Sequence, residues 1–205
     1  MSAFQQSESF SSLTLADQWQ SPPLPNSDPV LQGTRYLETL RQITLKSVSV
    51  DLVGDLSLRL KMCGWIGLNI YKVNRRLQAL LEDCQACFYP SEQPAVQIFA
   101  APLAASLALD GVCNILSQPT TLLIDTGRVV PEDWLGAVAH EYAHAVVASP
   151  GHSVRFRQVL THLCLGLGLL PPSSQKLSEA LESWPPCRAN PNPQGFWLGE
   201  MALSI

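Results

Sequence analysis

The stretch over residues 134–148 constrains this chain more than any other. It reads Trp-Leu-Gly-Ala-Val-Ala-His-Glu-Tyr-Ala-His-Ala-Val-Val-Ala, and Glu141 is its only formally charged residue. Small and aliphatic side chains on nearly every face predict a helix sunk in the core. A carboxylate in such a helix is costly unless a cation or hydrogen bonds compensate it. His140 and His144 stand four positions apart, one turn along a single face, and can converge on one metal ion. Glu141 lies about 100° round the helix from His140, close enough to address a metal-bound water without ligating the metal. This His-Glu-x-x-His spacing suits two imidazoles on Zn²⁺ with the neighbouring carboxylate as general base. All four histidines of the chain fall between His140 and His162, a clustering that packing does not require. Gly136, Ala137 and Ala148 sit on the same side and leave room for another backbone to come close.

The rest of the composition narrows the partners. At 205 residues with 46% apolar content, the chain suits one domain plus tails. A net charge of −4 gives no strong nucleic-acid signal. No apolar run reaches the length of a transmembrane segment; the nearest, residues 163–170, is stopped by Pro171 and Pro172. Six cysteines without a signal peptide predict reduced thiols and a cytoplasmic location. The pair Cys84-Gln-Ala-Cys87 lacks a partner pair at zinc spacing and reads as ordinary thiols.

Taken in order, residues 1–33 are rich in Ser, Gln and Pro and predict a disordered arm. Residues 34–184 read as a single domain of the α+β class, and residues 185–205 as a Pro-rich C-terminal tail. Helical period begins at Thr34 with Tyr36, Leu37, Leu40 and Ile43, and resumes from Leu52 to Cys87, with Gly54 and Gly64 as candidate breaks. These helices are expected to back a small mixed or antiparallel sheet. Its strands are read at residues 95–100, at residues 103–109 (ended by Asp110-Gly111) and at residues 120–124. Pro131-Glu132-Asp133 starts the histidine helix, since proline fits the first turn and acids suit the N-terminal dipole. Ser149-Pro150-Gly151 stops it, and a second helix begins near His152 after a tight turn.

A catalytic zinc site needs a third ligand and an open position. His152, eight residues past His144 across that turn, is the leading candidate, with helix capping as its alternative role. His162, Glu179 and Glu182 are the other choices.

His140-Glu-x-x-His144 followed by Gly151-His152-Ser-x-x-Phe156 resembles the SprT-like zincin metallopeptidases. The strand-turn-helix entry from Thr121 through Gly127 into His140 is also similar to a minigluzincin-type core. The resemblance covers residues 95–170. It implies a zincin-like core, Zn²⁺ held by His140, His144 and His152, Glu141 as general base, and a peptide or protein substrate. The chain departs from the metzincin pattern, which places the third histidine where Pro150 stands, and it has no cysteine-rich ribbon or basic tail.

The chemistry expected is metal-assisted peptide hydrolysis, with Glu141 taking a proton from water and passing it to the leaving amine. The strand before the helix is read as a place for an extended peptide to pair. Arg155 and His162 are the candidates to assist an oxyanion. Hydrolysis of another amide or ester would use the same residues. The alternative from another class is a non-catalytic zincin-like module in which metal only staples two helices. The apolar end of the tail is read as packing on the domain, or as an inhibitory segment in the cleft.

Overall fold

The computed structural model describes residues 15–44, 55–172 and 181–201. Residues 1–14, Gly54 and Glu179 lie outside them. The architecture is α+β, with five α-helices among the described residues and a three-stranded mixed sheet.

Helix α1 spans Pro29–Ile43 and so begins before Thr34. Asp28 caps it, its Oδ1 accepting from Val30 N at 2.8 Å, and Pro29 takes the first helical position, where no amide donor is needed. Helix α2, Leu56–Gln85, runs for 30 residues without a break at Gly64. Glycine serves this helix pair as spacing rather than punctuation. A methyl group on Gly33 would lie 2.0 Å from the Cys63 carbonyl oxygen, and one on Gly67 would lie 2.0 Å from that of Pro29. The two helices therefore cross with backbone against backbone.

The expectation of a disordered arm through residue 33 needs correction for residues 15–28. Ala16 is buried, a 3₁₀ turn spans Asp17–Trp19, and the Trp19 ring meets Tyr36 edge-on at 5.0 Å. Asn74 Nδ2 donates to the Trp19 carbonyl at 3.3 Å. An aromatic edge contact and a side-chain-to-backbone bond hold a segment that has no secondary-structure period of its own.

The sheet places β3 (Thr120–Ile124) between β1 (Val96–Ala100) and β2 (Gly111–Asn114). β1 runs parallel to β3, with Val96 opposite Thr120. β2 runs antiparallel, with Gly111 opposite Ile124. The strand expected at residues 103–109 is not formed. A 3₁₀ turn spans Ala105–Leu107 and Ala108 takes a left-handed φ of 49°, so pairing starts at Gly111, where a strand end was read. The core joins Ile98, Phe99 and Leu122 of the sheet to Leu77 and Leu81 of α2 and to Val138 of the histidine helix.

Helix α3 spans Trp134–Val147 behind a 3₁₀ turn at Pro131–Asp133, and α4 spans Val154–Gly166. The reversal between them passes through Ala148 at φ 52°, a left-handed conformation costing a residue with a Cβ about 1–2 kcal/mol. Ser153 caps α4 by accepting from Phe156 N at 3.3 Å, which leaves His152 outside the capping role.

The apolar end of the C-terminal segment packs into the core. Val129 and Ala189 form an antiparallel bridge, and α5 (Pro193–Trp197) buries Phe196 and Trp197. Trp197 Nε1 donates to Asp125 Oδ1 at 3.0 Å, and Phe196 lies 5.1 Å from Trp65 and 6.2 Å from Trp134. No helix among the described residues is long and apolar enough to cross a membrane.

Candidate metal centre

Helix α3 presents His140 and His144 on one face, and the turn after it returns His152 to the same place. The ring centroids lie 5.0 Å apart for His140 and His144, 5.2 Å for His140 and His152, and 5.0 Å for His144 and His152. One ligand atom from each falls within 4.8 Å of the others, the only such grouping of three or more potential ligands among the described residues. Phe156, fully buried on α4, floors the cluster, its centroid 4.3 Å from His144, 4.8 Å from His152 and 5.2 Å from His140.

Hydrogen bonds decide which nitrogens face inward. His140 Nδ1 lies 2.7 Å from the Trp184 carbonyl and His144 Nδ1 lies 2.9 Å from the Ser149 carbonyl. A carbonyl only accepts, so both Nδ1 atoms carry hydrogen and the neutral rings present Nε2 lone pairs. Burial lowers the His140 pKa to about 4, the other two histidines add to the effect, and the Trp184 hydrogen bond opposes it. Burial also lowers His144 and His152, the latter against the charge of Glu182. Three neutral imidazoles are the form a metal requires.

The spacing suits a divalent transition metal. His152 Nε2 and His140 Nε2 are 3.2 Å apart. Two nitrogens bound tetrahedrally at typical zinc distances would be separated by about 3.3 Å. Imidazole ligands suit Zn²⁺, and also copper and nickel.

Glu141 points its carboxyl toward β2. It is 8% exposed, and a methyl group on Gly111 would lie 2.8 Å from its Cγ and 2.9 Å from its Oε1. Burial raises the carboxyl pKa to about 8, with Asp110 adding to it. Cys113, two residues further along β2, has a thiol raised to about 12 by burial and then by Glu141. The carboxyl thus sits between the histidine helix and the backbone of β2.

The other sequence candidates fall elsewhere. His162 is exposed, its Nε2 bonded to the Cys87 carbonyl at 2.7 Å and its ring 5.0 Å from Phe88. It joins neither the ligand set nor an oxyanion site. Glu182 is exposed and its charge reaches His152, and Arg155 is exposed on α4. All six cysteines are free thiols, and among the described residues neither Cys84 nor Cys87 joins a group able to hold a metal. Sequence reasoning missed the Trp184 and Ser149 carbonyls, because every residue carries one and nothing in residue type marks them. It also missed Gly111 against Glu141, for which Asp110-Gly111 read as a turn was the available signal.

Comparisons with protein-family models, curated proteins and solved structures returned no match for this chain.

Proposed function

We propose that the chain is a zinc-dependent metallopeptidase in which His140, His144 and His152 hold the ion and Glu141 is the general base. The observation that carries this reading is a three-nitrogen pocket on the helix that buries Glu141, one residue from a ligand. A zinc ion bound there would supply a polarised water of pKa near ~7. Glu141, raised to about 8 in the absence of a cation, is a carboxyl whose affinity for protons suits proton shuttling at neutral pH. It accepts the water proton and returns it to the leaving amine. The Nδ1–H bonds to Trp184 and Ser149 orient the two helix imidazoles and keep their Nε2 lone pairs inward.

The substrate path follows β2 rather than β3. β3 is the central strand with both edges paired, whereas β2 pairs only with β3 among the described residues. An extended peptide added along the edge of β2 that is unpaired among the described residues would pass Gly111, whose missing side chain leaves the Glu141 carboxyl close to that backbone.

The test is elemental analysis of purified wild-type and His152→Ala protein, with peptide-library hydrolysis by wild type and Glu141→Gln. One zinc per chain, lost in His152→Ala, supports the ligand set. Glu141→Gln should keep zinc and lose about 10²–10⁴-fold in hydrolysis. Zinc bound with no hydrolysis of any peptide would favour the non-catalytic module instead.

A further inference from the structure

We infer that residues 184–188 form an outer arm of the metal centre, which fixes the tautomer of His140 and is clamped to the start of the helix that carries it. This rests on the triad as a metal site, and it gives the C-terminal segment a role in that site.

The arm is anchored along its length. Trp184 Nε1 donates to the Leu170 carbonyl at 3.0 Å, which holds the residue beside the end of α4 while its own carbonyl accepts from His140 Nδ1 at 2.7 Å. Pro185 is buried over Gly136, one turn before His140. A methyl group on Gly136 would lie 3.1 Å from Cys187 Sγ and 3.6 Å from Pro185 Cβ, so glycine there lets the arm lie flat on α3. The Cys187 thiol donates to the Asp133 carbonyl at 3.6 Å. Arg188 then grips the Asp133 carboxylate through its backbone N at 2.7 Å, Nε at 2.9 Å and Nη2 at 3.1 Å. Asp133 immediately precedes α3, so His140 and its acceptor ride on one body.

The physical consequence concerns the choice of tautomer. A free imidazole divides its proton between Nδ1 and Nε2, and only the Nδ1–H form offers Nε2 to a metal. A main-chain acceptor held at 2.7 Å favours that form before metal arrives. Arg188 is exposed and its fork holds Asp133, seven residues before His140 and not one of the ligands, so loosening it acts on the arm that carries the acceptor.

The experiment compares wild type, Arg188→Ala and Gly136→Val. Zinc affinity is measured by competition with a chromophoric chelator, and the His140 tautomer by long-range ¹H–¹⁵N correlation on metal-free protein at neutral pH. The expected result is a His140 ring in the Nδ1–H form in wild type, a mixed form in both variants, and zinc affinity about 10-fold weaker or more. Wild type binding zinc, with both variants matching it in affinity and tautomer, would overturn the inference. Weaker zinc binding with an unchanged tautomer would overturn it too, since that is a loss of general structure. If wild type binds no zinc, the proposed function fails, and the tautomer comparison alone still decides the role of the arm. Gly136→Val failing to fold would leave the surface variant Arg188→Ala to decide.

Discussion

Replacing Trp197 with Phe should reveal how far the C-terminal segment holds the site's framework together. Asp125 at the end of β3 is 3% exposed and receives four donors. Leu103 N at 3.0 Å and Arg128 Nε at 3.1 Å reach Oδ2, while Gly127 N and Trp197 Nε1, each at 3.0 Å, reach Oδ1. The Asp125 amide in turn donates to the Asp110 carbonyl at 2.8 Å and so fixes the start of β2 beside Glu141. Phenylalanine keeps most of the apolar bulk and deletes one hydrogen bond to a buried charge. A bond of that kind contributes about 1.5–3 kcal/mol, and the lost ring volume adds about 1 kcal/mol. The sum, about 2.5–4 kcal/mol, should lower Tm by about 5–16 °C in a chain of this size.

The same substitution carries a pH signature. Burial raises the Asp125 pKa, and its donors, Trp197 first among them, pull it back. A folded pKa above the unfolded value means stability is greatest below the unfolded pKa and is lost as pH rises through the folded one. Deleting the indole donor raises the folded pKa further, so the gap between variant and wild type should be widest at neutral pH and narrow in acid. Urea denaturation across that range is the assay. A deficit below about 0.5 kcal/mol at neutral pH, or one that does not vary with pH, would refute the assignment of Trp197 as a donor to a buried carboxylate.

Three further outcomes test other parts of the reasoning. Gly111→Ala puts a methyl group 2.8 Å from Glu141 Cγ and should displace the carboxylate. Zinc content should then stay unchanged while hydrolysis falls about 100-fold, as for a misplaced catalytic group. Gly33→Ala places its methyl 2.0 Å from the Cys63 carbonyl and must push α1 off α2; chemical denaturation should show a loss of about 1–3 kcal/mol or more. Removing metal with a chelator should lower Tm, because saturation at a thousand times Kd contributes about 4 kcal/mol to the folded state. A thermal scan with and without zinc measures this, and identical midpoints would contradict a site that orders three side chains.

The elements readable in advance were those specified by local chemistry. Proline with two acids opens α3, Ser149-Pro150-Gly151 closes it, and the β-branched run at residues 120–124 forms the central strand. These signals act within one turn or one strand, where a residue's own backbone preference decides. β2 escaped notice because Gly-Val-Cys-Asn has little strand propensity, and its register comes from β3 and the left-handed Ala108. Gly64 misled because glycine breaks an isolated helix, whereas α2 is held by packing along its length. The arm at residues 15–28 looked unstructured by composition, yet Trp19 pins it through contacts distant in the chain, as Phe196 and Trp197 pin the apolar end of the tail.

The sequence by itself determined that two imidazoles and one acid share a buried helix, since a period of 3.6 residues places positions 140, 141 and 144 whatever surrounds them. It also determined that the helix must end and reverse before His152, because proline and glycine act locally. Only the tertiary structure decided that His152 closes on the pair over Phe156, that Glu141 meets Gly111 on β2, and that the carbonyls of Ser149 and Trp184 turn the imidazoles inward. Gly111 and Trp184 lie far along the chain from Glu141 and His140, and the carbonyls are backbone groups common to every residue, so no residue type marks these contacts in advance.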